Sequence, residues 1–248
     1  MSLLVVVAHY DDEIIGASDA LFRHRGNCLV LHVTDSAPLD LAYTHRAGFQ
    51  TREQYSFARR KEMLSALRLA GIHSRRCLHL KIPDQEAPRH LARISSEIQA
   101  LASKQVTQVF THAWEGGHPD HDACALATRL ALAKLPHLPL YEMPFYHRAP
   151  GQRVAGEFIP HAGAGPIIAP LLSPEAIKRK QAMFARFPSQ AHVFARFAVD
   201  REPIRLAPRY HFLTPPHEGQ LYYETRPLNW TWAQWQATVA PQLERLSP

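Results

Sequence analysis

The sequence has few cysteines and no long hydrophobic run. Its three cysteines, Cys28, Cys77 and Cys124, are far apart and form no C-x-x-C pair. This pattern argues against a disulfide framework and is typical of reduced thiols in a cytoplasmic protein. No apolar run approaches the roughly 20 residues needed to cross a bilayer, and the N-terminus lacks the basic segment of a secretory signal peptide. We therefore expect a cytoplasmic protein with no transmembrane segment.

Nucleic-acid-binding signatures are also missing, although the chain is basic. Lys and Arg number 28 against 22 Asp and Glu, a formal net charge of +6. The basic clusters at residues 59–61, 75–76 and 178–180 are short, and no zinc-finger spacing or RNA-binding aromatic motif accompanies them. We therefore do not expect nucleic acid as a partner. A plain solvated surface, or a basic rim that attracts an anionic small substrate, fits the pattern better.

Strand-like and helix-like segments alternate as far as residue 143. The predicted strands are 3–8, 28–34, 77–80, 107–112 and 138–143, and the predicted helices are 13–24, 52–70, 88–103 and 121–134. Apolar runs predict the strands, and apolar residues at helical spacing predict the helices. This alternation predicts an α/β fold with a Rossmann-like, mostly parallel sheet and helices on both faces. In such a sheet, ligands bind beyond the carboxyl ends of the strands.

The C-terminal part of the sequence is more irregular. Residues 144–174 are dense in Pro and Gly, which predicts loops with at most one short hairpin. A helix at about 175–186, a strand near 209–213 and a Trp-containing helix over 231–245 complete the prediction. Because no repeat or linker interrupts the chain, we expect a single domain over residues 1–248.

A dense polar cluster follows the first predicted strand. In LLVVVAHYDDEIIG, residues 3–16, an apolar run leads directly into His9, Asp11, Asp12 and Glu13. Neighbouring acids repel one another, and they lose hydration if they are buried at a sheet edge. A bound divalent cation would compensate these charges.

A second polar cluster follows the strand predicted over 107–112. In THAWEGGHPDHDACALATRLAL, residues 111–132, His118 and His121 are three residues apart, with Asp120 between them. On the first turn of a helix, this spacing can direct two imidazoles to one site. Because both clusters follow strands, we expect them at the same edge of the sheet. Two histidines and a carboxylate around an open position are typical of a hydrolytic zinc site.

Together, the motifs HYDDE and GHPDHDA closely resemble those of the zinc-dependent PIG-L/LmbE-like N-acetylglucosaminyl deacetylases. Members typically carry AHPDDE after the first strand and HPDH or HxDH later. Four more segments resemble family segments: LHVTDSA at 31–37, RRKEMLSALRLAGI at 59–72, KIPDQ at 81–85 and KQAMFARFPSQ at 180–190. The resemblance covers roughly residues 3–190, and the two motifs are specific as a pair.

The resemblance implies one zinc ion per chain, bound by His9, Asp12 and His121, with a position left open for water. Asp11 would be the general base, taking a proton from this water and later giving it to the leaving amine. His118 would stabilise the tetrahedral oxyanion, either as a cation or as a hydrogen-bond donor.

Further residues have supporting or open roles. The resemblance implies that Asp120 orients a histidine from behind the metal ligands. Arg59 would either bind a substrate phosphate or be an ordinary helix cation, and Gln190 would either contact the sugar or close a turn. We expect Asp84 to cap a loop and His112 to be a structural or rim residue.

The sequence departs from the family pattern at two positions. Tyr10 replaces the usual proline of the first motif, either as a turn variant that packs against a neighbour or as a substrate contact. Some members also place a catalytic tyrosine two residues before the first histidine of the second motif, where this chain has Gly116. Such a role would then fall to Tyr10, Trp114 or another group, or would be absent.

The resemblance therefore implies a zinc-dependent hydrolase that removes the N-acetyl group from an N-acetylglucosamine-type conjugate. The expected partner is a small amino-sugar conjugate, which the basic charge balance mildly favours as anionic. One alternative is an amidase that acts on another amide, such as a thiol-sugar conjugate. A non-catalytic metal- or ligand-binding module is another, and a metal-dependent phosphoesterase is a third. Oligomerisation stays open.

Overall fold

The computed structural model describes residues 2–225, 228 and 230–246. The strands are β1 (Leu3–Val7), β2 (Cys28–Pro38), β3 (Cys77–Asp84), β4 (Gln108–His112), β5 (Leu140–Met143), β6 (Tyr146–Ala149), β7 (Gln152–Ala155) and β8 (Arg205–Leu206). The helices are α1 (Asp12–Arg23), α2 (Leu41–Arg46), α3 (Arg52–Leu69), α4 (Leu91–Ala102), α5 (Pro119–Leu132), α6 (Pro174–Phe184), α7 (Ala191–Phe194) and α8 (Trp232–Leu246). Among the described residues, no helix is both long enough and apolar enough to span a membrane.

Six strands form one sheet in the order β3-β2-β1-β4-β5-β8. The first five are parallel, and β8 pairs antiparallel with β5. Leu4 and Val6 of β1 pack with α4, α5 and α8, whereas Leu3, Val5 and Val7 pack with α1, α3 and α6 on the opposite face. Because both faces are covered, every residue of β1 is buried. The predicted Rossmann-like α/β fold is confirmed.

The order of the strands creates a crevice between β1 and β4. The chain runs outward from β1 through β2 to β3, and then returns to β4 on the other side of β1. In doubly wound sheets, ligands bind at the carboxyl ends of the strands where the order reverses in this way. One polar cluster of the sequence follows β1 and the other follows β4, so both lie at this crevice.

Helix α1 is kinked close to the sheet. Ala17 has a non-helical backbone, with φ −143° and ψ 20°. The Asp19 N–H bonds to the Glu202 carboxylate over 3.0 Å, and the Ile15 carbonyl instead accepts the Nζ of Lys180 over 2.8 Å. The kink therefore ties α1 to α6 through Lys180, the first residue of the family-like segment 180–190.

The predicted strand at 209–213 is wrong. The strand that pairs with β5 is β8, slightly earlier in the chain. The alternation in RYHFL reflects burial rather than strand pairing: Phe212 packs against Trp114 at 5.1 Å between ring centroids, and the Tyr210 hydroxyl donates to Glu142 over 2.8 Å. Strands β6 and β7 form the short hairpin of the Pro- and Gly-rich segment. The remaining predicted elements are present, with ends shifted by a few residues.

Candidate active site

The first polar cluster is positioned by the short turn from β1 to α1. The His9 N–H donates to the Asp12 carboxylate over 2.7 Å, which holds that carboxylate close to the end of the strand. Asp11 precedes α1 as its N-cap, but its side chain makes no capping hydrogen bond. All three residues are buried, so the turn holds an imidazole and two carboxylates within the crevice.

The second polar cluster is positioned by the start of α5. His118 is the N-cap, and Pro119 is the first helical residue. The Nδ1 of His118 accepts the Asp120 N–H over 3.2 Å. His121 lies on the first turn of the helix and is buried. The cap and the first turn therefore bring both histidines to the edge where β1 ends.

Three predicted ligands, His9, Asp12 and His121, converge and are called the metal trio below. The Nδ1 of His9 lies 3.2 Å from the Nε2 of His121 and 3.3 Å from one oxygen of Asp12. The other Asp12 oxygen lies 3.4 Å from the Nε2 of His121. Zinc binds such atoms tetrahedrally at about 2.0–2.2 Å, which places two ligand atoms about 3.3–3.6 Å apart. The spacing of the metal trio therefore fits one metal ion.

The electrostatic surroundings of Asp12 and His121 also suit a metal site. Burial alone would raise the pKa of Asp12, but His121, His112 and His9 together hold it well below its usual range. Burial lowers the pKa of His121 to about 4, and neutral imidazole is the form that binds metals. Burial would also lower the pKa of His9, but Asp84 and Asp12 outweigh it and raise that pKa well above its ordinary value.

Asp120 lies behind the metal trio. One of its oxygens is 3.3 Å from the Nε2 of His9 and accepts the Gln85 N–H over 2.6 Å. The other oxygen accepts the Ala87 N–H over 2.9 Å. Asp120 therefore orients His9 and fixes the loop after β3, which is the contact that its implied role requires.

Sequence reasoning missed the contacts of two residues with this site, Asp84 and His112. Asp84 Oδ1 lies 3.3 Å from the Nε2 of His9 and 3.6 Å from the Nε2 of His118. His112 stacks on His121 at 4.0 Å between ring centroids. Potential ligand atoms of His9, Asp84, His118 and Asp120 all lie within 4.8 Å of one another. The available signal was position, because Asp84 and His112 each end a parallel strand of the same sheet.

Asp11 pairs with Arg59, a buried residue of α3. The Nη2 of Arg59 lies 3.0 Å from Asp11 Oδ1, and its Nη1 donates to the Ser36 carbonyl over 3.1 Å. Arg59 is therefore buried and paired with an acid rather than exposed on its helix. Burial raises the pKa of Asp11, and the charge of Arg59 opposes this rise.

His118 has the properties of a neutral hydrogen-bond donor. Because its Nδ1 accepts the Asp120 N–H, the proton of the neutral ring lies on Nε2. Burial, together with the charge of His9, lowers the pKa of His118 well below its ordinary value. Of the two forms that the sequence left open, the structure favours the hydrogen-bonding one.

A cavity of about 660 Å³ includes the metal trio, Asp11 and His118 in its lining. Gln190 also lines it and donates to the Tyr55 hydroxyl over 2.9 Å. Three exposed basic side chains line the same cavity: Arg46, His192 and Arg196. The acids that line it, Asp11, Asp12 and Asp84, are all buried beside the metal trio. The exposed part of the cavity is therefore basic.

Neither aromatic residue singled out from the sequence lines this cavity. The Tyr10 ring packs against His32 and His79, at 5.2 and 5.5 Å between ring centroids. Trp114 packs in the core against Trp235, at 5.1 Å. The Tyr10 ring therefore packs in the interior against these histidines, as the first of its two predicted alternatives describes.

The sequence matches one family model over half of its length. The model is that of PIG-L, described as GlcNAc-PI de-N-acetylase, and it matches residues 4–132. A search of curated proteins found no match.

Several solved structures have a similar fold. A zinc-inhibited form of the teicoplanin deacetylase Orf2 superposes with a TM-score of 0.65 at 16% identity, covering 83% of this chain and 97% of that one. The A40926 pseudoaglycone deacetylase Dbv21 gives 0.64 at 21% identity, with coverage of 83% and 96%. The N,N'-diacetylchitobiose deacetylase from Pyrococcus horikoshii gives 0.58 at 16% identity, with 84% of each chain covered.

Proposed function

Because the chain belongs to the PIG-L family of GlcNAc-PI de-N-acetylases, we propose that it is a metal-dependent hydrolase that removes the N-acetyl group from an amino-sugar conjugate. The products are acetate and a free amine. The observation that carries this proposal is the juxtaposition of the metal trio with Asp11, a carboxylate of the same cavity that is paired with Arg59. A site that only stored metal would have no evident use for Asp11. We also propose that the chain is a single domain.

The metal trio would hold one zinc ion. Bound there, zinc would polarise the amide carbonyl and lower the pKa of a water molecule toward ~7. The ligand set supports zinc because two imidazoles and one carboxylate leave a position open, as in hydrolytic zinc sites. Asp120 supports the site by orienting the His9 ring through Nε2.

Asp11 accepts a proton from the attacking water and then returns it to the nitrogen of the leaving amine. Burial raises the pKa of this carboxylate, and the positive charge of Arg59 opposes that rise. His118 donates its Nε2–H to the oxygen that becomes negative as the water adds to the carbonyl carbon. Such a donor is typically worth on the order of 10²–10³ in rate.

The substrate is a sugar conjugate with an anionic group. The similar solved structures include deacetylases of teicoplanin and of N,N'-diacetylchitobiose, which supports a glycoside or glycopeptide-like substrate. The exposed basic residues of the cavity, Arg46, His192 and Arg196, support the anionic group. Attraction of this kind weakens as salt screens the charges.

The first test is metal content, which needs no knowledge of the substrate. We expect about one zinc ion per wild-type chain, lost in His121→Ala. Absence of metal from both proteins after zinc is supplied and the excess removed would contradict the proposal.

The second test is acetate release from N,N'-diacetylchitobiose, N-acetylglucosamine and N-acetylglucosamine 1-phosphate. We expect the zinc-loaded wild type to release acetate, fastest from the phosphate ester, and Asp11→Asn to show only background release. Background release by both proteins would favour the metal-binding module. Release of an amine only from a thiol-sugar amide would favour the alternative amidase.

A further inference from the structure

The β6–β7 hairpin packs directly against the loop that precedes His118. The Tyr146 carbonyl oxygen, at the start of β6, would lie 2.0 Å from a Cβ added to Gly117. Only glycine at position 117 permits so close an approach of the two backbones. The Tyr146 ring lies 5.5 Å from the His121 ring, measured between centroids. The hairpin therefore forms a wall of the cavity beside the metal trio.

Two arginines face each other across this hairpin. Arg148 of β6 and Arg153 of β7 are paired in register, so their side chains project from the same face. The Nη1 of Arg148 donates to the side-chain oxygen of Gln220 over 2.8 Å. Among the described residues, the lining of the cavity includes Arg153 but not Arg148. Like charges directly opposite each other destabilise a strand pair, and an anion bound to Arg153 in the cavity would offset this cost.

Aromatic rings hold the Arg153 guanidinium in the wall of the cavity. Its central carbon lies 4.3 Å from the ring centroid of Tyr146, 5.3 Å from that of Tyr222 and 6.0 Å from that of Phe197. All three rings line the cavity together with Arg153. Cation–π contacts of this kind favour a guanidinium stacked on the ring faces. The positive charge is therefore held at a defined place in the cavity.

Arg153 differs from the exposed basic residues of the same cavity. Arg46, His192 and Arg196 are exposed, so salt screens their attraction for an anion. Arg153 is half-buried, and a contact with it is screened much less. Its planar guanidinium can donate two parallel hydrogen bonds to the oxygens of a phosphate or a carboxylate. Arg153 is therefore suited to direct contact with such a group.

We propose that Arg153 binds the anionic group of the substrate and makes the enzyme selective for N-acetyl amino sugars that carry a phosphate or a carboxylate. The inference rests on the proposed deacetylation and adds the residue that recognises the anionic group. The Tyr146 ring contacts both the Arg153 guanidinium and the His121 ring. Because a single aromatic ring separates the guanidinium from the metal trio, the anionic group lies on a substituent of the same sugar that carries the N-acetyl group.

The test compares the zinc-loaded wild type with Arg153→Met and with Arg148→Met, the matched control from the same hairpin. Methionine keeps an unbranched apolar chain that can pack on the three rings. Acetate release is measured from N-acetylglucosamine, its 1-phosphate, its 6-phosphate and N-acetylmuramic acid. The quantity compared is the ratio of kcat/KM for each anionic sugar to kcat/KM for N-acetylglucosamine, which does not depend on the folded fraction. The assays are run at low salt and at about 0.3 M salt, where the exposed cations are screened.

We expect the wild type to prefer at least one anionic sugar at both salt concentrations. Arg153→Met should lose about 10–100-fold of this preference, as expected for a hydrogen bond to a charged group, mainly through a higher KM. Arg148→Met should stay within about threefold of the wild type. Preference for a phosphate ester would identify phosphate as the anion, and preference for N-acetylmuramic acid would identify carboxylate.

Three results would overturn the assignment of Arg153 alone, given a wild type that releases acetate. They are no preference for any anionic sugar, a preference that disappears at about 0.3 M salt, and a preference that Arg153→Met retains. Absence of acetate release by the wild type from all four sugars would overturn the proposed function for these substrates, and the assignment with it.

Discussion

The carboxylate of Asp11 lies 3.0 Å from the guanidinium of Arg59, and both side chains are buried. This pair joins the turn after β1 to helix α3. Burial raises the pKa of Asp11, and Arg59 opposes that rise. Since a general base must be ionised before it can accept a proton, Arg59 sets how far the pH can fall before the proposed reaction stops.

Replacing Arg59 should therefore move the acid limb of the pH–rate profile. In Arg59→Met, Asp11 loses the charge that favours its ionised form. Its pKa rises, and kcat/KM should begin to fall at a higher pH than in the wild type. The measurement is kcat/KM for acetate release against pH, with each profile scaled to its own maximum. The scaling matters because breaking a buried pair costs about 3–5 kcal/mol of stability.

Arg60→Met is the matched control for that profile, because Arg60 is the next residue of α3 and is exposed. Its acid limb should coincide with that of the wild type. If the two variants gave the same acid limb, Arg59 would not govern Asp11.

Asp120→Asn should weaken metal binding without removing a metal ligand. The carboxylate contacts His9 Nε2, on the opposite side of the ring from the Nδ1 that faces His121. Substitution of such supporting groups typically costs 10–100-fold in metal affinity. Zinc affinity would be measured by competition with a chromophoric chelator at a fixed pH. Asp122→Asn, on the same helix turn, is the control and should bind zinc like the wild type. Equal affinities in the two variants would contradict the orienting role of Asp120.

Lys180→Met should destabilise the fold through the kink of α1. The buried ammonium lies 3.0 Å from the Glu202 carboxylate and also bonds to the Ile15 carbonyl. Removing it leaves a carboxylate without its cation, and we expect a loss of about 3–5 kcal/mol in the free energy of unfolding. Denaturant unfolding measures this loss.

The companion variant for Lys180 is Lys180→Met with Glu202→Gln. Neutralising the stranded carboxylate should restore part of the lost stability. Additive losses from the two substitutions would mean that the pair is not energetically coupled.

The central part of the site was predictable because its signals are local. HYDDE and GHPDHDA each follow an apolar run, and parallel strands bring their carboxyl ends to one edge of a sheet. The sequence therefore places His9, Asp12 and His121 together without any knowledge of side-chain packing.

The remaining contacts depend on how distant segments pack. Asp84 and Tyr146 line the cavity from β3 and β6. Tyr146 has no local signature, and the family-like segment KIPDQ contains Asp84 without indicating its contact with His9. Arg59 has a helical position that is compatible with either exposure or burial, and the approach of α3 to Asp11 decides between them. The wrong prediction of a strand at 209–213 has a similar cause. Tyr210 and Phe212 alternate with exposed residues because their side chains pack against other segments, which gives the same pattern as a half-buried strand.

Asp122 should make stability depend on pH. Its Oδ1 accepts the Glu115 and Gly116 N–H groups, over 3.1 and 3.3 Å. Burial raises its pKa to about 8, from 3.8. Between pH 3.8 and about pH 8, the Asp122 carboxyl is therefore protonated in the folded chain and ionised in the unfolded chain. The stability from this group is therefore fully present below about pH 4 and is lost as the pH rises to about 8.

Asp122→Asn keeps an acceptor for both N–H groups but cannot ionise. As the pH rises across this window, the free energy of unfolding of Asp122→Asn should increase relative to that of the wild type, by at most about 1.4 kcal/mol per pH unit. Urea unfolding at several pH values measures the difference, and a difference that stays constant with pH would show that Asp122 is already ionised in the folded protein.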